Sequence, residues 1–242
     1  MSAAFRFKQF GIVQDLCAMK VGTDGVLLGA WAEGGSHILD VGCGTGVVSL
    51  MMAQRFPDAS ITAIDIMADC CRQTVDNAVN SPWGDRIKVE NVSLQDFSRR
   101  NLDGGIPDGE TCFYDCIVSN PPFYDDSLKN PDKARATARH NDSLPFPMLA
   151  KGVSRILSLD GKFSVVMAEE CCQAFIEEAW FAGLYLVDSV KIITKRGKPV
   201  KRRLMRFSHF RVDAPTETSV VLQDDDGQRS EWYRALTSDF YL

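Results

Sequence analysis

The stretch VSNPPFYDDS, residues 118–127, sets an asparagine, two prolines and a phenylalanine directly after the apolar run Cys116-Ile117-Val118. Proline lacks an N–H and fixes its own φ, so a tandem pair ends a strand and holds the next residues rigidly. The Asn120 side-chain oxygen and the Pro121 carbonyl can each accept one N–H, and Phe123 offers a flat face for stacking. Asn120, Pro121, Pro122 and Phe123 therefore form a candidate catalytic set, preformed at the mouth of a sheet. A rigid turn after a strand has the same composition, so the rest of the chain must decide between the two.

A second constellation precedes it. LDVGCGTGVV (39–48) puts Gly42, Gly44 and Gly46 between a strand-like run and a helical segment. Glycines let the backbone turn sharply and come close to a ligand. The spacing is G-x-G-x-G, not the G-x-G-x-x-G that cradles a dinucleotide pyrophosphate. With Asp40 just before it, the loop suits a ligand without phosphates, such as the zwitterionic end of S-adenosyl-L-methionine. In AIDI (63–66), Asp65 falls 19 residues beyond Gly46 with Ile66 beside it. A carboxylate there can accept from both ribose hydroxyls of an adenosine. Asp96, in SLQDF (93–97), could accept from the adenine amino group. Each residue alone reads equally well as a turn residue; together at one sheet edge they point to a nucleoside-cofactor site.

The elements that must position these residues alternate. Strand-like runs at 37–43, 60–66, 86–92, 114–120 and 161–167 are interleaved with helix-period segments at 46–56, 68–79, 144–157 and 169–183. That alternation predicts a doubly wound α/β fold with a mostly parallel sheet covered on both faces. Runs at 185–194 and 202–212, joined by the basic turn KRGKPVK, predict a closing antiparallel hairpin and a seven-stranded sheet in all. Composition marks 99–110 and 124–142 as mobile, the second beginning just past the Pro-Pro stretch. The chain reads as a single domain, 1–242, with an N-terminal addition over 1–36.

In this order LDVGCGTG, AIDI, SLQDF and VSNPPF resemble the class I S-adenosylmethionine-dependent methyltransferases that act on a planar amino nitrogen. FKQFGIVQDLCAMKVGTDGVLLGAW (7–31), ARHNDSL (138–144) and the C-terminal ALTSDFYL narrow the resemblance over nearly the whole chain. They are similar to the bacterial valine-tRNA adenine-37 N6-methyltransferases. The resemblance implies a Rossmann-like methyltransferase fold, a tRNA anticodon stem-loop as partner and a cytoplasmic enzyme. It also implies that Thr23 and Asp24 close over the methionine end of the cofactor, with the 1–36 addition packed there. The usual last motif residue, tyrosine, is Phe123 here, which leaves a ring for stacking.

An exocyclic amine is a poor nucleophile because its lone pair is delocalised into the ring. Two fixed acceptors, Asn120 and Pro121, favour the pyramidal nitrogen that attacks, and the tandem prolines keep them preformed. The amine loses its proton after attack, so neither His140 nor His209 is needed as a base. Protein-glutamine methylation, ribosomal RNA guanine-N2 or adenine-N6 methylation and non-catalytic cofactor binding by an RNA adaptor stay open as alternatives.

Charge bears on the partner. The formal net charge is −5, yet residues 191–206 hold eight lysines and arginines and no acid. A concentrated basic stripe on an acidic body suggests a local polyanion site. Lys195, Arg196, Lys198, Lys201, Arg202, Arg203 and Arg206 become candidate RNA contacts, joined by Arg135, Arg139 and His140 on the 124–142 loop. A solvated face is the plain alternative. No apolar run approaches the roughly 20 residues that cross a bilayer, and the N-terminus does not read as a signal peptide. The cysteines, two of the pairs adjacent (Cys70-Cys71 and Cys171-Cys172), lack metal-ligand spacing and read as small buried side chains. No metal and no obligate protein partner are expected.

Overall fold

The computed structural model describes residues 4–102, 113–122 and 144–241. Phe123 lies outside the described residues, as do Arg135, Arg139, His140 and most of both stretches expected to be mobile. The elements follow the chain as β1 (Phe5–Arg6), β2 (Gly11–Ile12), α1 (Thr23–Trp31), β3 (His37–Val41), α2 (Val47–Arg55), β4 (Ser60–Asp65) and α3 (Ala68–Val79). Then come β5 (Ile87–Asn91), α4 (Leu94–Leu102), β6 (Tyr114–Ser119), α5 (Phe146–Ile156), β7 (Leu157–Ala168) and α6 (Glu169–Phe181). The chain closes with β8 (Tyr185–Lys195), β9 (Val200–Ser208), β10 (Thr216–Gln223) and α7 (Glu231–Leu236).

The main sheet runs β10-β8-β9-β7-β6-β3-β4-β5, with β9 antiparallel to both of its neighbours and every other pair parallel. Its central strands carry near-continuous apolar runs because helices cover both faces. Side chains alternate across β3, with Ile38 on one face and Leu39 on the other. Ile38 joins a core with Leu28, Leu50, Met51 and Val118 under α1 and α2. Leu39 joins a second with Ile117, Val153, Phe163 and Phe175 under α5 and α6.

The α/β class, the parallel centre and the β8–β9 hairpin match expectation, but the sheet has eight strands rather than seven. The additional strand, β10, pairs in parallel with the outer side of β8. Its sequence, TETSVVLQ, is exposed over its first half and buries only Leu222 fully, so it lacks the apolar alternation that marks a strand. Two further differences bear on the site. Residues 99–102, expected to be mobile, are the last turn of α4, whose buried face includes Phe97 and Asn101. The segment around VGTDGVLLGAW forms α1, buried from Gly25 to Ala30 with no polar face to betray its period.

The N-terminal residues share the first core rather than lying outside it. Phe7 and Phe10 stack at 4.6 Å between ring centroids, Phe7 stacks on Tyr241 at 5.9 Å, and the Lys8 N–H donates to the Phe240 carbonyl at 2.8 Å. The two ends of the chain thus close on one another.

α1 meets α2 most tightly at Gly29, where a Cβ would stand 2.9 Å from Met51 Cβ. Met51 Cβ is fixed by its own helix and cannot rotate away. Gly29→Ala is expected to cost about 1–3 kcal/mol by overpacking and to lower the Tm by roughly 3–10 °C. Thermal and denaturant unfolding check this, and an unchanged midpoint would mean that the two helices separate freely.

Candidate active site

Three strands end at one level. Val41 pairs with Ile64 on one side and with Ser119 on the other, so Gly42, Asp65 and Asn120 emerge side by side from β3, β4 and β6. The Gly42 and Cys43 N–H groups both donate to the Ile64 carbonyl, at 2.9 and 3.1 Å, and the Ser119 hydroxyl donates to the Val41 carbonyl at 2.9 Å. These bonds knit the three ends together where a parallel sheet opens a crevice.

The glycine loop is left-handed at each glycine, with φ of 74°, 55° and 79° at Gly42, Gly44 and Gly46. A Cβ on Gly42 or Gly44 would meet nothing within 4 Å, so the backbone there faces open space. At Gly46 a Cβ would stand 2.8 Å from Thr74 Cγ2. The first two glycines leave room for a ligand, and the third seats the loop on α3.

Asp65 holds this loop. One carboxylate oxygen accepts the Gly44 N–H at 3.0 Å, and the other accepts the Met67 N–H at 2.9 Å. Each oxygen keeps a further acceptor site for a ribose hydroxyl. Ile66 and Met67 stand exposed beside it, an apolar shelf suited to a base. These residues fit S-adenosyl-L-methionine: an open backbone cradle, a half-buried carboxylate with spare acceptor capacity and an apolar shelf.

Asn120 supplies the most telling feature. Its side-chain oxygen is buried yet has no hydrogen-bond partner among the described residues. A buried unpaired acceptor costs about 1–3 kcal/mol and is kept where function needs it. Pro121 behind it is buried and Pro122 is exposed. Gly25 of α1 approaches closely enough that its Cβ would lie 3.7 Å from Asn120 Nδ2. The first turn of α1, with exposed Thr23 and half-buried Asp24, therefore borders the same crevice. The segment leading into α1 is clamped to α3. Asn77 accepts the Val13 N–H at 2.9 Å and donates to the Val13 and Thr45 carbonyls, both at 2.8 Å, while Gln73 accepts the Leu16 N–H at 3.0 Å. Nothing in the sequence distinguished Asn77 and Gln73 from ordinary surface residues of a helix.

Two candidates sit differently from expectation. Asp40 is 1% exposed and does not face the crevice; the Ser49 hydroxyl donates to it at 2.6 Å beneath the glycine loop. Asp96 lies at the expected edge, but its oxygens accept from the Ser93 hydroxyl at 2.7 Å and from Arg99 at 2.6 Å. Ser93 in turn accepts the Asp96 N–H, so its hydroxyl caps the start of α4.

The basic stripe is divided by strand alternation. Arg202 and Arg206 turn toward α1: Arg202 Nε is 2.8 Å from Asp24 Oδ2, and Arg206 pairs with Asp188 at 2.8 Å and Glu33 at 3.0 Å with its guanidinium over Trp31. Arg203 turns to the other face, where Glu169 takes it in a two-pronged pair. Only 13% of the Arg203 side chain and 12% of the Arg206 side chain are exposed. Arg203 and Arg206 thus fasten α6 and α1 to the sheet, and Arg202, a third exposed, does so while still reaching solvent. Lys195, Lys198 and Lys201 are exposed, and so is Arg196, with Asp225 at 3.8 Å across solvent. Because β9 is antiparallel and Arg202 pairs with Ala168 at the end of β7, this hairpin tip rises from the same sheet end as Asn120.

Among the described residues no group of three histidines, cysteines or acids could hold a metal ion, and no helix is long and apolar enough to cross a membrane. The described cysteines are free thiols and all but Cys70 are buried.

Burial pushes the Asp40 carboxyl up to about 6, against the pull of the Ser49 hydrogen bond. Between about pH 4, where an unfolded aspartate titrates, and pH 6, the native state keeps a proton that the unfolded chain has lost. The contribution of this group is therefore fully present below about pH 4 and is lost as pH rises through 6. Asp40→Asn retains an acceptor for Ser49 without the charge. Its stability relative to the parent protein is expected to rise by about 1–3 kcal/mol between pH 4 and 7. Parallel thermal melts across that range check it, and a difference independent of pH would refute it.

Comparison with known proteins agrees with this geometry. The family model described as the methyltransferase small domain matches residues 21–179. A tRNA1(Val) (adenine(37)-N6)-methyltransferase of Bacteroides fragilis is 44% identical over 98% of this chain and 97% of its own length. Proteins with the same name are 45% identical in Phocaeicola vulgatus, covering 98% and 97%, and 35% identical in Pseudoalteromonas translucida, covering 99% of each chain. The crystal structure of a predicted O-methyltransferase from Agrobacterium tumefaciens superposes with a TM-score of 0.67 at 17% identity, covering 90% of this chain and 96% of that one, a likeness of fold. The open glycine cradle, the carboxylate at the end of β4 and the unpaired acceptor at the end of β6 thus belong to a member of the methyltransferase small-domain family, with S-adenosyl-L-methionine as its cofactor.

Proposed function

We propose that the protein transfers the methyl group of S-adenosyl-L-methionine to the exocyclic N6 of an adenine in tRNA, adenine-37 beside the anticodon of a valine tRNA. The observation that carries this reading is the buried, unpartnered Asn120 Oδ1 at the end of β6. The relatives named for this reaction, 44% identical over nearly the whole chain, supply the address.

The bound cofactor supplies an electrophilic methyl group. The chain holds the cofactor and the amine. Asp65 accepts from the ribose hydroxyls while continuing to brace Gly44, and Ile66 covers the base. Thr23 and Asp24, at the start of α1, face the methionine end. Asn120 Oδ1 and the Pro121 carbonyl each accept one amino hydrogen, which turns the nitrogen lone pair out of conjugation and toward the methyl group. Phe123 stacks on the extracted base, a contact worth about 1–3 kcal/mol. A base in a loop is cheaper to extract than one in a duplex, which suits the anticodon stem-loop. Lys195, Arg196, Lys198 and Lys201 at the β8–β9 tip reach for its phosphates. The place of such a reaction is the cytoplasm.

Radiolabelled methyl transfer to unmodified total tRNA, followed by nucleoside analysis, tests the reading. Label in N6-methyladenosine beside a valine anticodon is expected; label confined to ribosomal RNA or to protein glutamine would replace the substrate. Asn120→Ala is expected to lower kcat by about 10²–10³, the scale of removing one fixed hydrogen-bonding group at a reacting centre, with cofactor affinity nearly unchanged. Asp65→Ala should instead weaken cofactor binding tenfold or more, roughly 1.4 kcal/mol. Calorimetric cofactor titrations beside turnover rates separate the two, and matching behaviour would dissolve the division of roles.

A further inference from the structure

A cleft of about 440 Å³ lies where the two chain ends meet. Lys8 from the turn after β1 faces Arg229 and Arg234 from α7 and its approach, with Thr237, Ser238 and Tyr241 completing the wall. None of the described residues lining it is acidic. The chain has 32 acidic residues against 27 basic ones, so three cations converging without a carboxylate run against its composition.

The cations are held in place by groups that leave their charge intact. The Arg229 guanidinium lies 4.2 Å from the Tyr241 ring and 5.6 Å from that of Tyr233. A stacked guanidinium keeps its N–H groups on the rim, free to meet an anion. Lys8 Nζ donates to the Ser238 carbonyl at 2.6 Å, which fixes the ammonium and uses one of its three donors. Asp225 stands 3.8 Å from Arg196, and Asp226 accepts the N–H of Gln228 in the cleft wall; among the described residues neither it nor any other acid forms an ion pair with Lys8, Arg229 or Arg234. Like charges gathered without a counter-ion repel one another, and an anion in the cleft relieves that cost.

The position suggests which anion. Arg229 bridges to Gln223 at the end of β10, and Gln223 is level with Lys195 at the end of β8. Arg229 thus lies toward the hairpin tip, while Lys8 and Ser238 lie beside Asp239, whose carbonyl accepts from Gln54 at the end of α2 away from the glycine loop, so the cleft runs along the flank of the sheet. Arg229 stands beside the edge strand β10, four places from β6 in the sheet, so the cleft is set apart from the amine acceptors.

We propose that this cleft binds backbone phosphates of the RNA substrate at a point away from the methylated adenine, as a second anchor beside the β8–β9 tip. The inference rests on the RNA substrate proposed above. Salt-dependent binding of unmodified tRNA to the full chain tests it, with Arg229→Gln, Arg234→Gln and the double variant. The double variant is expected to bind about tenfold more weakly near 0.1 M salt, and its slope of log affinity on log salt should be shallower by about 0.7–1.8, one to two phosphates. Cofactor affinity and the far-ultraviolet circular dichroism spectrum should match the parent protein, which separates loss of a phosphate contact from loss of fold. An unchanged slope would overturn the proposal. So would unchanged RNA binding in a variant that no longer gains Tm from inorganic phosphate, which would make the cleft a small-anion site. Should methyl label appear in ribosomal RNA instead, the proposed substrate fails, and the same slopes measured on that RNA still decide the cleft.

Discussion

Everything in the site depends on the register of three parallel strands. Val41 opposite both Ile64 and Ser119 puts a glycine turn, a carboxylate and an amide at one level, although they are far apart in sequence. A slip of one residue in any of these pairings would turn Asp65 or Asn120 to the other face of the sheet. Two opposed cores make such a slip costly, because Ile38 and Leu39 would exchange environments along with their neighbours. The hydrogen bonds from Gly42, Cys43 and Ser119 then lock the strand ends, so the crevice is as rigid as the sheet that bears it.

What could be read from the sequence follows from where the physics is local. G-x-G-x-G, the Pro-Pro turn and the β-α alternation are short-range signals, and they located the cradle, Asn120 and most of the sheet. β10 escaped because an edge strand half covered by solvent carries no alternation. α1 escaped because a helix buried nearly all round has no polar stripe. The clamp of Asn77 and Gln73 on the entering N-terminal segment is a contact between residues 57 to 64 positions apart, which no local pattern encodes. Asp40 and Asp96 were each a carboxylate near the right edge. The structure adds burial beneath the glycine loop for the one and a bond to the capping serine of α4 for the other, and neither is visible without the neighbours Ser49 and Ser93.

The basic stripe shows the limit of reading charge along a chain. A run of cations on a strand alternates between faces, so consecutive arginines serve opposite layers. Arg202 meets Asp24 beneath α1 while Arg203 meets Glu169 of α6. Partly buried pairs of this kind are strongly felt when one partner is removed, because the other is left without a counter-charge. The acidic body that seemed to isolate the stripe in fact supplies partners for its arginines, and the stripe stands most open to solvent at the tip, from Lys195 to Lys201.

That division separates the two demands on such an enzyme. Chemistry on one nitrogen needs few atoms held closely, and the sheet end provides them. Recognition of a long polyanion needs charge spread over a surface, at positions where local strain does not matter. The hairpin tip and the cleft between the chain ends, proposed above as anchors, lie outside the strands that hold the crevice. Electrostatic contacts there act over roughly 10 Å at moderate salt and tolerate small displacements, whereas a misplacement of 1 Å at Asn120 would not be tolerated. Anchors placed on a turn and on the joined chain ends, as proposed, would let the address vary while the register of β3, β4 and β6 is left untouched.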